Sequence, residues 1–235
     1  LILDREPQLA YGVPIGGYRM VALGNGHVQA GFGLTEKEVL ELPGYRTDKA
    51  KREQDIKDAL TLFEQAGYTK DNPLKWEIMG WAVPSRTIGI DELQLAAEMY
   101  KKVSGGVLDP SVKGLEWGTW KAAEANHEFQ MISSNYSMGV DAHEAMQKMY
   151  SSTGGRNFAG FKDSAFDQML IEEQAEFDIE ERKKLIKEMV EYVNDSSRIA
   201  NAWTGTGPTY SAVVSSLKGF PELWDTGKVD GIWFA

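Results

Sequence analysis

The spacing of the apolar residues changes across Gly67, and that change restricts the fold more than any other feature of the chain. Before it, Ile56, Ala59, Leu60 and Phe63 recur at i, i+3, i+4 and i+7, the spacing of one helix face. After it, Leu74, Trp76 and Ile78 alternate with Lys75, Glu77 and Met79, the period of a half-buried strand. Gly67 suits the junction because it takes up the left-handed backbone that ends a helix. Leu93, Ala96, Ala97 and Tyr100 form a second helical stripe, stopped by Gly105-Gly106. A strand is then expected within Val112–Trp117, a short helix over residues 118–125 and a strand over Phe129–Ser133. Strand, helix, strand, helix, strand in succession predicts an α/β layer in which helices cover a sheet.

Beyond this layer the sequence reads as helical. Ala142, Ala145, Met146 and Met149 lie on one helical face, and Asp163 or Ser164 can cap a helix carrying Phe166, Met169 and Leu170. Asp178 followed by Glu181 has the form of a capping box, with Leu185, Ile186, Met189 and Val193 continuing that helix on one side. Residues 11–46 carry many glycines and no clear period, which predicts irregular loop with short extended pieces. Ile199–Trp203 and Thr209–Val214 read as extended, separated by the turn-prone Gly205-Thr206-Gly207-Pro208.

Charge and composition remove several function classes. With 25 basic against 35 acidic residues, the net charge of −10 disfavours nucleic acid and anionic membrane surfaces. The absence of cysteine excludes disulfides, thiolate metal sites and cysteine nucleophiles. A hydrophobic content of 42% is ample for a buried core, yet no apolar run reaches the length needed to span a bilayer. No signal peptide is legible at the N-terminus.

Motifs for catalysis are mostly missing. The chain has no G-x-S-x-G elbow, no Walker loop and no G-x-G-x-x-G at a strand-to-helix turn. His127-Glu128 and His143-Glu144 each begin the H-E-x-x-H pattern, but Met131 and Gln147 occupy the second histidine position, which excludes a zincin site. His143 reads as a surface or capping residue, since Asp141 two positions away does not share its helix face. His27 shows no ligand partners, and no metal or other cofactor is expected. Glu172, Glu173, Glu176, Glu180, Glu181, Glu188 and Glu191 alternate with Arg182, Lys183, Lys184 and Lys187 opposite apolar stripes, the pattern of solvated helix faces.

The aromatics are better candidates for a site. Trp117 and Trp120 flank a short segment, Tyr136 precedes a glycine-containing loop, and Trp203 ends a predicted strand. Large rings at strand ends can wall a ligand pocket, offering wide apolar contact and a face for stacking on rings or amides. Trp76 and Trp81 read instead as packing residues.

Several segments share an order with a known family: Leu3-Asp4-Arg5-Glu6, then Leu42-Pro43-Gly44-Tyr45-Arg46 with a helix ending at Ala66-Gly67-Tyr68, then Phe158-Ala159-Gly160-Phe161 before Phe166-Asp167-Gln168-Met169-Leu170. Asp178-Ile179-Glu180-Glu181-Arg182 and Val214-Ser215-Ser216-Leu217-Lys218-Gly219-Phe220 follow. Together they resemble the family 5 extracellular solute-binding proteins, which deliver peptides, nickel chelates and related solutes to ABC importers.

This resemblance implies a fold and a function. The fold would be the C-terminal lobe of a type II periplasmic-binding-protein-like architecture, a mixed sheet flanked by helices. Residues 1–46 would form an irregular leading segment, residues 47–214 the α/β lobe, and residues 215–235 a tail that packs on an N-terminal lobe lying outside this chain. The function implied is non-catalytic capture of a small solute, above all a peptide, between the two lobes, for delivery to ABC permease subunits. The location implied is periplasmic or extracellular, with or without a membrane tether.

In peptide-binding members an aspartate in the loop after the Phe129–Ser133 strand pairs with the ligand's α-amino group. Asp141 occupies the matching stretch Ser137-Met138-Gly139-Val140-Asp141, without the family's prolines and preceding acid. It suits either that role or the cap of the following helix. The expected ligand residues are Asp141, Trp117, Tyr136, Met138 and Trp203. Two alternatives stand beside this reading: a glycoside- or peptide-acting hydrolase with an acidic aromatic cleft, and a sensing or interaction module on the same fold.

Overall fold

The computed structural model of the chain describes residues 22–23, 27–28, 30–82, 88–134, 139 and 141–194, with backbone alone at 88–89, 217–218 and 233–234. The described residues divide into two compact units. One comprises residues 36–134 with Phe158–Gly160; the other comprises residues 22–35, 139–157 and those from Phe161 onward.

The first unit runs α1 (Glu36–Val39), α2 (Lys49–Gln65), β1 (Leu74–Trp81), α3 (Ile88–Val103), β2 (Leu108–Leu115), α4 (Trp117–Ala125) and β3 (Met131–Ile132). The one-turn helix α1 lies inside the stretch expected to be irregular. Asp48 caps α2 by accepting the Lys51 N–H at 2.8 Å, and Gly67, with φ of +88°, turns the chain out of the helix as its position predicts. β1 is central, pairing in parallel with β2 from Leu74↔Leu108 to Trp81↔Leu115 and with β3 through Ile78↔Met131 and Met79↔Ile132. The sheet is thus an α/β layer in the order β2-β1-β3, parallel throughout its described strands, where a mixed sheet is the expectation.

β2 starts four residues before the expected segment because Pro110 does not interrupt it. The strand lies at the edge of the described sheet, where a missing N–H is tolerated. Successive β1 side chains alternate in direction. On one face Trp76 meets Tyr100 of α3 edge-on at 5.5 Å, and the register pair Gly80↔Gly114 lies under Ile90. A Cβ on either glycine would come within 3.3 Å of the Ile90 Cδ1, so this bare patch lets α3 lie close to the sheet. Ala59, Leu60 and Phe63 of α2 complete that core with Leu74, Trp76, Val103 and Leu108. On the opposite face Trp81 meets Trp117 and Trp120 of α4.

The second unit contains α5 (Ala142–Tyr150), α6 (Ser164–Ala175), α7 (Ile179–Asn194) and an antiparallel pair of two-residue strands, β4 (Leu217–Lys218) with β5 (Trp233–Phe234). Most of its helical stripes are buried as their spacing predicts: Ala142, Ala145, Met146 and Met149 on α5, Phe166 and Leu170 on α6, Ile186, Met189 and Val193 on α7, while Met169 and Leu185 of the expected stripes are only half-buried. Phe166 centres an aromatic cluster, with Phe161 at 5.8 Å, Tyr150 at 6.0 Å and Tyr192 at 6.1 Å.

Asp163 is the residue that caps α6, through the Ala165 N–H at 2.9 Å, and its other oxygen accepts the Tyr192 hydroxyl at 2.8 Å. Asp178 caps α7 through the N–H groups of Glu180 and Glu181. The return bond of the expected capping box comes from elsewhere: Glu176 accepts the Asp178 N–H at 2.7 Å, while Glu181 pairs with Lys184. The extended segments expected at Ile199–Trp203 and Thr209–Val214 lie outside the described residues, as do the side chains of the tail.

Candidate functional site

The order β2-β1-β3 places a topological switch at the central strand. From β1 the chain crosses through α3 to one side, and from β2 it crosses through α4 to the other. In open α/β sheets the crevice at such a switch, outside the carboxyl ends of the strands, is where ligands bind. In this sheet that position lies beyond Trp81, which ends β1, and Ser133-Ser134, which follow β3.

Three indoles gather at this edge. The ring centres of Trp81 and Trp117 are 4.6 Å apart in an edge-to-face arrangement, those of Trp81 and Trp120 are 6.1 Å apart and nearly parallel, and those of Trp117 and Trp120 are 5.2 Å apart. Trp120 is buried and donates its Nε1–H to the Ser133 carbonyl at 3.1 Å, tying α4 to the end of β3. Trp117 is 51% exposed. One indole is thus structural and its neighbour presents an apolar surface supported from behind.

Two charged residues from the same helix join the cluster. The Lys121 ammonium lies 4.2 Å from the centre of the Trp120 ring and 5.3 Å from that of Trp117. It pairs with Glu124 Oε2 at 2.6 Å, while Glu124 Oε1 accepts the hydroxyl of Ser134. Trp117 and Lys121, like Trp120 and Glu124, are four residues apart, so the helical repeat brings each pair together. That spacing is visible in the sequence, although neither charged residue stands out by type. Trp81, which reads there as a packing residue, supports the exposed indole.

Asp141 caps α5 in the second unit. Its extended backbone, with φ of −89° and ψ of 127°, lets Oδ1 accept the Glu144 N–H at 3.1 Å, and the residue is exposed. Tyr136, Met138 and Trp203 lie outside the described residues.

Two residues of the second unit depart from the sequence expectation. Glu173 is fully buried rather than solvated; its Oε1 accepts from Arg182 Nε at 2.8 Å and its Oε2 lies 2.5 Å from His143 Nδ1. His143 is correspondingly drawn in from the surface. The partners are 30 and 9 residues apart in sequence, so no local spacing announces them. Among the described residues no group of three or more histidine and acidic side chains is placed to hold a metal.

No family model matches the sequence. Over 152 residues it is 24% identical to the periplasmic oligopeptide-binding protein OppA of Haemophilus influenzae, a match covering 64% of this chain and 27% of the relative. The crystal structure of that OppA in complex with RPPGFSPFR superposes with a TM-score of 0.69 at 19% identity, covering 94% of this chain and 40% of OppA. The chain is related to the family 5 solute-binding proteins.

Two further family structures share the fold. The murein tripeptide binding protein MppA of Escherichia coli gives a TM-score of 0.59 at 21% identity, over 81% of this chain and 34% of MppA. NikA of Staphylococcus aureus in complex with Ni(L-His)2 gives 0.54 at 15% identity, over 71% of this chain and 34% of NikA. The chain therefore spans well under half the length of these relatives.

Two segments that resemble the family have clear structural roles. In Leu42-Pro43-Gly44-Tyr45-Arg46, Gly44 takes a φ of +82°, and its N–H and the Arg46 guanidinium both bond to the buried Asp55 on α2. The turn is thereby fixed to the helix that follows it. Before Phe158-Ala159-Gly160-Phe161, Asn157 accepts the Phe161 N–H at 3.0 Å and donates to the carbonyls of Ser151 and Phe161. Its amide closes the loop on itself.

Proposed function

We propose that this chain supplies the C-terminal lobe of a type II, two-lobed binding protein that captures a peptide for an ABC importer. The observation that carries this reading is the half-exposed Trp117, backed by Trp81 and Trp120, at the carboxyl edge of the sheet beside its switch point. An indole held from behind offers broad contact to peptide planes and apolar side chains while losing little conformational freedom on binding. The names of OppA and MppA, and the peptide bound to OppA, favour a peptide as the solute.

In this reading Asp141 combines its cap with an anchoring role for the ligand's α-amino group, and Tyr136, Met138 and Trp203 are further ligand residues. An N-terminal lobe closes over the solute, and permease subunits in the membrane read the closed shape, so that binding free energy is converted into a conformational signal. No covalent step is needed. The role calls for a periplasmic or extracellular location, in keeping with the named location of OppA.

The test is native mass spectrometry of the intact gene product, purified without refolding. A co-purified peptide, lost in Trp117→Ala and in Asp141→Ala, is the expected result. An empty protein with no thermal shift against peptide libraries would overturn the reading, since ligand at a hundred times its dissociation constant should add about 2.7 kcal/mol.

A further inference from the structure

The position of Lys121 carries an inference about charge selectivity, which rests on the solute-binding reading above. Exposed indoles commonly attract cations, because the ring face carries the negative end of a quadrupole. In this cluster the protein supplies that cation itself. The Lys121 ammonium sits 4.2 Å from the Trp120 ring centre and 5.3 Å from that of Trp117.

A lysine head group is usually loose, but this one is held. Glu124, only 1% exposed in its buried setting, grips the ammonium at 2.6 Å, and its other oxygen is engaged by Ser134. Of the three N–H donors of an ammonium, this pairing uses one. The Lys121 side chain remains 33% exposed, so its charge is felt at the edge of the Trp117 surface.

We propose that Lys121 is a specificity-determining residue that makes the Trp117 surface select against cationic ligand groups and favour neutral or carboxylate-bearing ones. A ligand ammonium approaching Trp117 would meet a ring already occupied by a cation and a like charge beside it. A carboxylate, or a neutral ring or amide, meets neither obstacle. This local preference opposes the long-range field of a chain with net charge −10, and physiological salt screens the distant charges more than the adjacent one. The two contributions therefore separate when Lys121 alone is changed.

The experiment measures affinities of the intact gene product for tri-lysine, tri-alanine and tri-glutamate by isothermal titration calorimetry at pH 7.5 and 150 mM salt. In Lys121→Met, the tri-lysine affinity relative to tri-glutamate should rise by about fivefold or more, the scale of one unit charge a few ångströms away at a partly solvated site. Lys121→Arg, which keeps the charge, should stay within about twofold of the wild-type ratio on the same argument. Lys121→Gln provides the same charge removal if the methionine variant does not fold.

Glu124→Gln should move the ratio the opposite way, by leaving the ammonium without its counter-charge. An unchanged ratio in the charge-removing variants overturns the role of Lys121 while leaving peptide capture standing. Failure of ligand-free wild-type protein to bind any of the three peptides overturns peptide capture, and this proposal with it.

Discussion

The carboxylate of Asp55 reaches back from helix α2 to the Gly44 N–H, with Oδ2 3.0 Å from the nitrogen, while Oδ1 binds the Arg46 guanidinium at 2.8 Å. One buried side chain thus holds a glycine in left-handed backbone and a cation on the same turn. The arrangement explains why a proline-glycine turn, an aromatic and an arginine precede this helix: only glycine takes the positive φ cheaply, and the guanidinium neutralises the buried acid.

Removing Asp55 should therefore cost more than a surface acid would. Asp55→Ala takes an acceptor from the buried Gly44 N–H and the counter-charge from Arg46, for an expected loss of about 3 kcal/mol of stability. Urea denaturation followed by tryptophan fluorescence checks it. A loss below about 1 kcal/mol, the range of an exposed pair, would show that the turn is held by its packing alone.

The network around Glu173 leads to a second prediction. Arg182 and His143 both converge on this fully buried carboxylate, joining α5, α6 and α7. Glu173→Ala strips the guanidinium of its partner and should cost about 3–5 kcal/mol. Replacing all three residues by apolar ones of similar size should restore much of that loss, because desolvation of the charges no longer opposes folding. The comparison is made by urea denaturation of the two variants. A triple variant no more stable than Glu173→Ala would show that the network contributes net stability.

How much of this was legible in the sequence depended on distance along the chain. The stripes of α5 and α7, the stop at Gly67 and the alternation in β1 are local, and side-chain period or backbone freedom reveals them directly. The start of β2 is not legible because proline argues against a strand unless the strand is known to be an edge, and edges are set by tertiary pairing. Glu173 looked like its solvated neighbours since only helix packing places Arg182 and His143 against it. At the candidate site, Trp117 was visible as an aromatic near a strand end. Its support by Trp81 needs the β1–α4 contact, which no spacing encodes.

Glu92, on α3, gives a pH prediction. Burial raises its carboxyl above the ordinary value of 4.5, because the charged form loses solvation. A folded-state value above the unfolded one means that the folded chain holds this proton more tightly. Its favourable contribution is complete below about pH 4.5 and is lost as pH rises through the raised folded value. Glu92→Gln, which cannot ionise, should accordingly raise the melting temperature at pH 7.5 and change it little at pH 4. Equal effects at both values would assign the change to packing rather than to charge.

The two neighbouring indoles of α4 should respond in opposite ways to truncation. Trp120 is 2% exposed and bonded to the Ser133 carbonyl, so Trp120→Ala removes a large buried ring and a hydrogen bond at once. It should destabilise the fold by about 3–5 kcal/mol. Trp117 is 51% exposed, and its loss should cost stability by no more than about 1 kcal/mol while weakening peptide affinity by roughly tenfold or more, the effect of removing a stacked aromatic contact. Urea denaturation and calorimetric titration of the same two variants measure both quantities. If Trp117→Ala instead lowers stability as much as Trp120→Ala and leaves affinity unchanged, the three indoles form a packing cluster and the ligand surface lies elsewhere. Affinity lost without stability ties solute capture to the carboxyl edge of β1 and β3, at the point where the strand order reverses.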